Sequence, residues 1–192
     1  MQNDLIAIVG YGQVGKDTLA GFLEKTLLKK GVLARKESFA TEVRNDLYDF
    51  LMEKLGISAF TEDKDEKRMI RPMLIAWGTD VMRNQIDIDT WVNRFQPQFE
   101  KNQKEGLVTF MTDLRFQNEL DWVHENEGIT IWLGRHGVGP LNDDEKKYTA
   151  PLRKKCIYDM CWPDFKDMAA AEPEILVEEF LKRTTCNIKK YD

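Results

Sequence analysis

Five consecutive apolar residues, Leu5-Ile6-Ala7-Ile8-Val9, run straight into Gly10, and a helical pattern begins directly after Gly15. An apolar run that is short and unbroken suits a parallel strand buried on both faces. From Asp17 to about Lys30, Leu19, Phe22, Leu23, Leu27 and Leu28 recur at helical spacing, and Gly31 marks the end. A buried strand, a glycine loop and an amphipathic helix joined this closely commit the chain to a strand–helix unit of a parallel sheet.

The alternation continues. Val32 to Phe39 reads as a second strand. Thr41 is expected to cap a helix running to about Leu55, with Val43, Leu47, Phe50, Leu51 and Leu55 on one face. Ser58 to Lys67 is polar and reads as a loop; helical patterning follows from Glu66 to Arg83, starting or kinking at Pro72. Asp89 is the expected cap of a helix to Gln103 that carries Trp91, Val92 and Phe95 inward, with Gly106 at its end. Leu107 to Thr112 reads as a strand ending at Asp113, Phe116 to Asn126 as a helix stopped by Gly128, and Ile129 to Leu133 as another buried strand. Residues 134–151 are charged, glycine-rich and irregular in pattern; Cys156 to Cys161 could be a last strand and Pro173 to Arg183 a closing helix. The expectation is an α/β protein of three layers: a parallel sheet of about five strands, Leu5–Val9 central, with helices on both faces. Ligands of such sheets bind at the carboxyl ends of the strands.

Composition narrows the function. The 192 residues, 42% hydrophobic and 32% charged, suit one globular domain over 1–192. No apolar run approaches the ~20 residues that span a bilayer, so no membrane partner is expected. Met1-Gln2-Asn3-Asp4 has neither the basic start nor the apolar stretch of a signal peptide, so the expected compartment is the cytoplasm. Lys and Arg number 28 against 33 Asp and Glu, a net charge of −5, which argues against a nucleic acid polymer as partner. Cys156, Cys161 and Cys186 make no disulfide framework, and neither they nor His124 and His136 have metal-ligand spacing.

Gly10-Tyr11-Gly12-Gln13-Val14-Gly15-Lys16-Asp17-Thr18 fits the phosphate-loop pattern G-x-x-x-x-G-K. Backbone N–H groups can wrap a triphosphate only where no Cβ collides, hence the glycines. The following helix adds its N-terminal dipole, and Lys16 can reach the β- and γ-phosphates. Gly12, Gln13, Val14, Gly15, Lys16, Asp17 and Thr18 are therefore the candidate binders of ATP. Asp17 stands where Ser or Thr usually contacts Mg²⁺, and Thr18 could take over that hydroxyl role. Asp17 could then act on the metal through water or on the second substrate. A dinucleotide-binding reading of Gly10, Gly12 and Gly15 leaves Lys16 unexplained and finds no convincing acidic residue ending the second strand.

Four segments resemble phage-type deoxynucleoside monophosphate kinases: Gly15-Lys16-Asp17-Thr18; Ser38-Phe39-Ala40; Trp77-Gly78-Thr79-Asp80-Val81-Met82-Arg83 with Asp87, Asp89 and Trp91; and Thr112-Asp113-Leu114-Arg115-Phe116-Gln117-Asn118-Glu119. The chain lacks the family's late H-x-S-E-like motif between Gly134 and Leu152, and Arg44 is the basic residue after the Phe39-Ala40 pair. The resemblance implies a P-loop kinase fold with an acceptor-binding helical part over about 41–103 and a mobile lid over about 134–155. It implies transfer of the γ-phosphate of ATP, with Mg²⁺, to a deoxynucleoside monophosphate in the cytoplasm, that of a host if the source is a phage. A kinase for another small acceptor, such as dephospho-coenzyme A, and a non-catalytic nucleotide switch are the competing readings; no N-K-x-D motif supports the switch. Homodimers are common among kinases of this size.

Phosphoryl transfer needs alignment and charge neutralisation more than covalent help. Arg71, Arg83 and Arg115 are candidate clamps for the acceptor phosphate, and the resemblance favours Arg83 and Arg115. Lys16, Arg83, Arg115 and Asp113 form the expected catalytic set. Asp113 at a strand end could hold Mg²⁺ with Thr18, cap the next helix, or both. Asp17, Asp87 and Trp91 complete the expected acceptor pocket, with Trp91 either stacking on the nucleoside or filling the helix core. Arg135 and Arg153 are the lid candidates.

Overall fold

A computed structural model of the chain describes residues 4–162. The expected helix over 173–183 and Cys186 lie outside the described residues. Strand β1, Leu5–Val9, is buried along its whole length. It pairs in parallel with β3, Val108–Met111, on one side and β4, Ile129–Arg135, on the other. Strand β2, Ala34–Glu37, lies beyond β3, and β5, Tyr158–Trp162, beyond β4, giving the order β2-β3-β1-β4-β5, parallel throughout. The register sets Ile6 opposite Phe110 and Ile129, so the central strands meet through buried aliphatic and aromatic side chains.

The residues group into two compact units: residues up to 37 with those from 99 onward, and residues 38–98. In the sheet unit, helix α1, Lys16–Lys29, buries Leu19, Ala20, Leu23 and Leu27. Helix α5, Gln117–Glu125, buries Leu120, Trp122 and Val123. The β1–α1–β2 and β3–α5–β4 crossovers run in opposite directions across the sheet. Right-handed crossovers of opposite direction cover opposite faces. Leaving Leu19, Leu23 and Leu27 in water would forfeit roughly 1.5–3 kcal/mol each.

The unit over 38–98 is helical. It holds α2, Ala40–Leu55; α3, Lys64–Ile75; a π-helical segment, Ala76–Ile86; and the start of α4, Thr90–Lys104. Leu51, Ile57, Ala59 and Ile70 form its small core.

Several local expectations are corrected. Helix α2 starts at Ala40, not at a Thr41 cap, because the Ser38 hydroxyl already accepts from the Ala40 N–H at 3.2 Å. On that helix Leu51 is buried while Phe50 and Leu55 are each 45% exposed. The buried stripe of this helix is narrower than its apolar pattern. The segment read as a loop to Lys67 is helical from Lys64, because the Asp63 carboxylate accepts from the N–H groups of Asp65 and Glu66 at 2.9 and 3.0 Å. Pro72 lies inside α3, and the chain passes into the wider π-helical winding four residues later. Gly128 does not supply a left-handed stop, since the positive φ (56°) belongs to Glu127. Glycine is needed there because a Cβ would stand 2.7 Å from Val123 Cγ1 and 2.9 Å from Val123 O. Strand β2 is shorter than Val32–Phe39, and the expected irregular stretch from 134 contains the end of β4, a π-helical turn at Glu145–Thr149 and a 3₁₀ turn at Ala150–Lys155.

Candidate phosphate-binding site

The loop from Gly10 to Gly15 leaves β1 at the carboxyl edge of the sheet. A Cβ on Gly10 would stand 2.3 Å from the carbonyl oxygen of Leu133 in β4, so only glycine fits against that strand. Gln13 (φ 63°) and Gly15 (φ 96°) are left-handed, a winding that turns successive backbone N–H groups inward to a common concavity. Val14 is fully buried in the sheet core and anchors the loop from below, whereas Gln13 is exposed. Gly15 occupies the N-cap of α1 and has no side chain to satisfy the first-turn N–H groups, which remain for an anion.

Lys16 curls back over the loop, its Nζ donating to the carbonyls of Gly10 at 2.9 Å and Tyr11 at 2.8 Å. Burial holds its ammonium below the ordinary lysine pKa, and the Arg115 charge adds to that; the carboxylates of Glu145, Asp17 and Asp113 pull the other way. These five charged groups therefore share one neighbourhood. Asp17, in the first turn of α1, accepts from the Thr112 hydroxyl at 2.9 Å and pairs with the Lys36 ammonium. Burial pushes its pKa up, but the hydrogen bonds from Lys36 and Thr112, with the Lys36 and Lys16 charges, leave it below the ordinary value. Thr18 is exposed on the same turn.

Asp113 follows β3, with its Oδ1 atom buried. It does not cap α5. That helix begins after Phe116, and the Glu119 carboxylate takes the N–H groups of Arg115 at 2.7 Å and Phe116 at 3.1 Å. Glu119 thus pins the backbone from which the exposed Arg115 side chain projects. Arg135 ends β4, half-buried. Arg153 makes a two-pronged ion pair with Asp159 at 2.7 and 3.1 Å and lies over the Trp132 ring, which Tyr11 meets edge-on at 5.2 Å.

The remaining candidates lie in the helical unit. Arg71 is exposed on α3. Arg83 is 7% exposed, its Nη1 donating to the Ile88 carbonyl at 3.2 Å. Asp87 organises the start of α4: its carbonyl accepts from the Thr90 N–H and hydroxyl, and its carboxylate from the Asp89 N–H at 3.0 Å. Trp91 is 2% exposed; its indole N–H donates to the Gly78 carbonyl at 2.8 Å and Arg94 lies over its ring. As found, Trp91 is a strut between α4 and the π-helical segment, and a nucleobase would have to displace its covers. Gly78 is tight as well, since a Cβ would stand 3.1 Å from Val43 Cγ1.

Sequence reasoning missed Lys36, Thr112, Glu119 and Glu145. Glu119 had a local signal, a glutamate at the third position of a helix. Thr112 opens a segment that resembles the kinase family, whereas Lys36 and Glu145 meet their partners only in the folded chain and carried none. Among the described residues no group of three or more His, Cys, Asp or Glu could hold a metal. The hard oxygens of Thr18 and Asp113 still suit Mg²⁺, which takes one or two protein oxygens and completes its shell with phosphate and water. No described helix is long and apolar enough to cross a membrane.

The family model for deoxynucleotide monophosphate kinase matches residues 29–149, well over half of the chain and beginning downstream of the glycine loop. No curated protein matches. Among solved structures, a dephospho-CoA kinase from Campylobacter jejuni is similar with a TM-score of 0.55 at 14% identity, over 97% of this chain and 98% of that one. A shikimate kinase from Aquifex aeolicus is similar with a TM-score of 0.44 at 15% identity, over 95% of this chain and 97% of that one. At such identities the likeness is one of fold.

Proposed function

The chain belongs to the deoxynucleotide monophosphate kinase family, and on that premise we propose that it transfers the γ-phosphate of ATP to a deoxynucleoside monophosphate, giving ADP and the diphosphate. The observation that carries the donor half is Lys16, poised over a glycine loop with Arg115, Asp17 and Asp113 around it. The N–H groups of Gly12, Gln13, Val14, Gly15, Lys16, Asp17 and Thr18 would wrap the phosphate chain. Lys16 would exchange its two carbonyl partners for phosphate oxygens, which relieves an ammonium now held at a desolvation cost. A bond forms from an acceptor phosphate oxygen to the γ-phosphorus as the bond to the β–γ bridging oxygen breaks. Lys16 and Arg115 would carry the charge that moves to the equatorial and leaving oxygens. Mg²⁺, when bound, would be held by Thr18 and Asp113 and would neutralise phosphate charge.

For the acceptor we assign Arg83, Arg115 and Arg71 to the 5′-phosphate, with Asp17 and Asp87 around the nucleoside. Arginine forks suit a dianionic phosphate. Arg135 and Arg153 belong to a lid over about 134–155 in a single kinase domain, 1–192, with its acceptor part over about 41–103. The test is ADP release in the presence of Mg²⁺ with each deoxynucleoside monophosphate, the ribonucleotides and dephospho-coenzyme A. Turnover with one or more of the deoxynucleotides is expected. Turnover with dephospho-coenzyme A alone, or ATP binding without turnover on any acceptor, overturns the proposal.

A further inference from the structure

Glu145 lies 133 positions from Gly12, yet its carboxylate sits in the glycine loop. Oε1 accepts from the Gly12 N–H at 3.0 Å and Oε2 from the Leu141 N–H at 2.9 Å. The Asn142 side chain accepts from the Glu145 N–H at 2.9 Å and fixes the turn that delivers it. Glu145 is buried, although its neighbours Asp144 and Lys146 are exposed. The approach depends on Gly12, where a Cβ would stand 2.4 Å from Leu141 Cδ1 and 3.1 Å from Glu145 Oε1. Three residues on, Tyr148 packs against Phe116, the neighbour of Arg115, with ring centroids 5.2 Å apart.

A loop whose N–H groups are built to hold an anion is thus already holding one, and the anion belongs to the chain. We propose that Glu145 is a determinant of donor affinity: its carboxylate takes the place of a phosphate oxygen on the Gly12 N–H, and the donor's phosphate chain must expel it. Entry of a triphosphate beside a fixed carboxylate brings like charges together in a half-dry site, which costs affinity until the carboxylate leaves. Donor binding and release of the Leu141–Thr149 segment are then one event. This rests on the loop being the donor site.

The test uses the full chain and measures binding of tripolyphosphate and of ATP by calorimetry. Glu145→Gln keeps the shape and removes the charge; it should bind tripolyphosphate about tenfold tighter or more. Asn142→Ala, which loosens the turn without touching the loop, should tighten binding to a lesser degree and serves if the Glu145 variant does not fold. In the unaltered chain, tripolyphosphate should speed amide hydrogen exchange over 141–149. Unchanged or weaker binding in both variants, or slowed exchange over 141–149, overturns the proposal while leaving the donor site in place. Lys16→Ala separates the two ideas, because it should lose tripolyphosphate binding. If it binds as tightly as the unaltered chain, the loop is not the donor site and both readings fall.

Discussion

The Thr112 hydroxyl donates to Asp17 Oδ1 at 2.9 Å, joining the residue after β3 to the first turn of α1 across 95 positions of chain. Lys36, in β2, pairs with the same carboxylate. Asp17 is therefore held by two neighbouring strands at the sheet edge where the glycine loop opens.

Removing the Thr112 donor should be felt in turnover. The Asp17 side chain is largely exposed, so the hydrogen bond contributes about 1 kcal/mol, and Thr112→Val should lower kcat/KM by roughly fivefold. Thr112→Ser keeps the hydroxyl and should stay near the unaltered value. Equal losses in both variants would mean that the methyl group, not the hydrogen bond, matters.

The same carboxylate predicts a pH dependence. Asp17 titrates below its ordinary value in the folded chain, so its ionised form adds stability above the unfolded pKa. That contribution is lost as pH falls through the lower, folded pKa, a window at and below about 3.9. Lys36→Met removes the leading cause of the lowering. Denaturant titrations at stepwise lower pH should then show a shallower loss of stability in that window than in the unaltered chain. An identical slope would detach Lys36 from the titration of Asp17.

Lys16→Ala should abolish turnover, with a fall on the order of 10²–10³-fold or more in kcat, because Lys16 is the cation placed to follow charge onto the moving group. Circular dichroism should be unchanged, since the Lys16 ammonium donates to the loop carbonyls of Gly10 and Tyr11 and its removal leaves the helices and strands intact. Near-normal kcat on folded protein would contradict the assignment.

Arg115→Lys and Arg83→Lys each replace a planar fork with a point charge. If both arginines hold the acceptor phosphate, KM for the deoxynucleotide rises or kcat falls while KM for ATP changes little. An effect on ATP alone would move these residues to the donor side. Arg115, whose charge is already felt at Lys16, is the more sensitive probe of that boundary.

The thiols should differ in reactivity. Burial, with the Asp159 charge, pushes Cys156 up to about 12, partly offset by a hydrogen bond with Thr130. Cys161 is exposed. Iodoacetamide at pH 8 should label Cys161 well before Cys156, because the thiolate is the reacting form. Peptide mass mapping reads the order, and faster labelling of Cys156 would place it outside its pocket.

Much of the architecture was legible in short stretches of chain. Leu5–Val9 announced a doubly buried strand because only an unbroken apolar run survives burial on both faces. Gly10, Gly15 and Lys16 announced the loop because phosphate wrapping forbids Cβ atoms at fixed spacings; the structure gives Gly10 a separate reason, its close approach to the Leu133 carbonyl. Helix ends were less legible where a hydroxyl ahead of the helix takes its first N–H, as Ser38 does from Ala40, or where a glycine served packing instead of turning, as Gly128 does.

The charged residues around the loop were legible, but the contacts that hold them were not. Thr112 meets Asp17, and Glu145 meets Gly12, only because the order β2-β3-β1-β4-β5 folds segments 95 and 133 positions apart onto one edge of the sheet. Trp91 looked equally suited to a base platform and to a helix core, and its bond to the Gly78 carbonyl placed it in the core. Local spacing encodes which face of a helix or strand is apolar. Which polar groups then face each other depends on how strands are ordered and helices crossed, and that information resides in the packing of the whole chain.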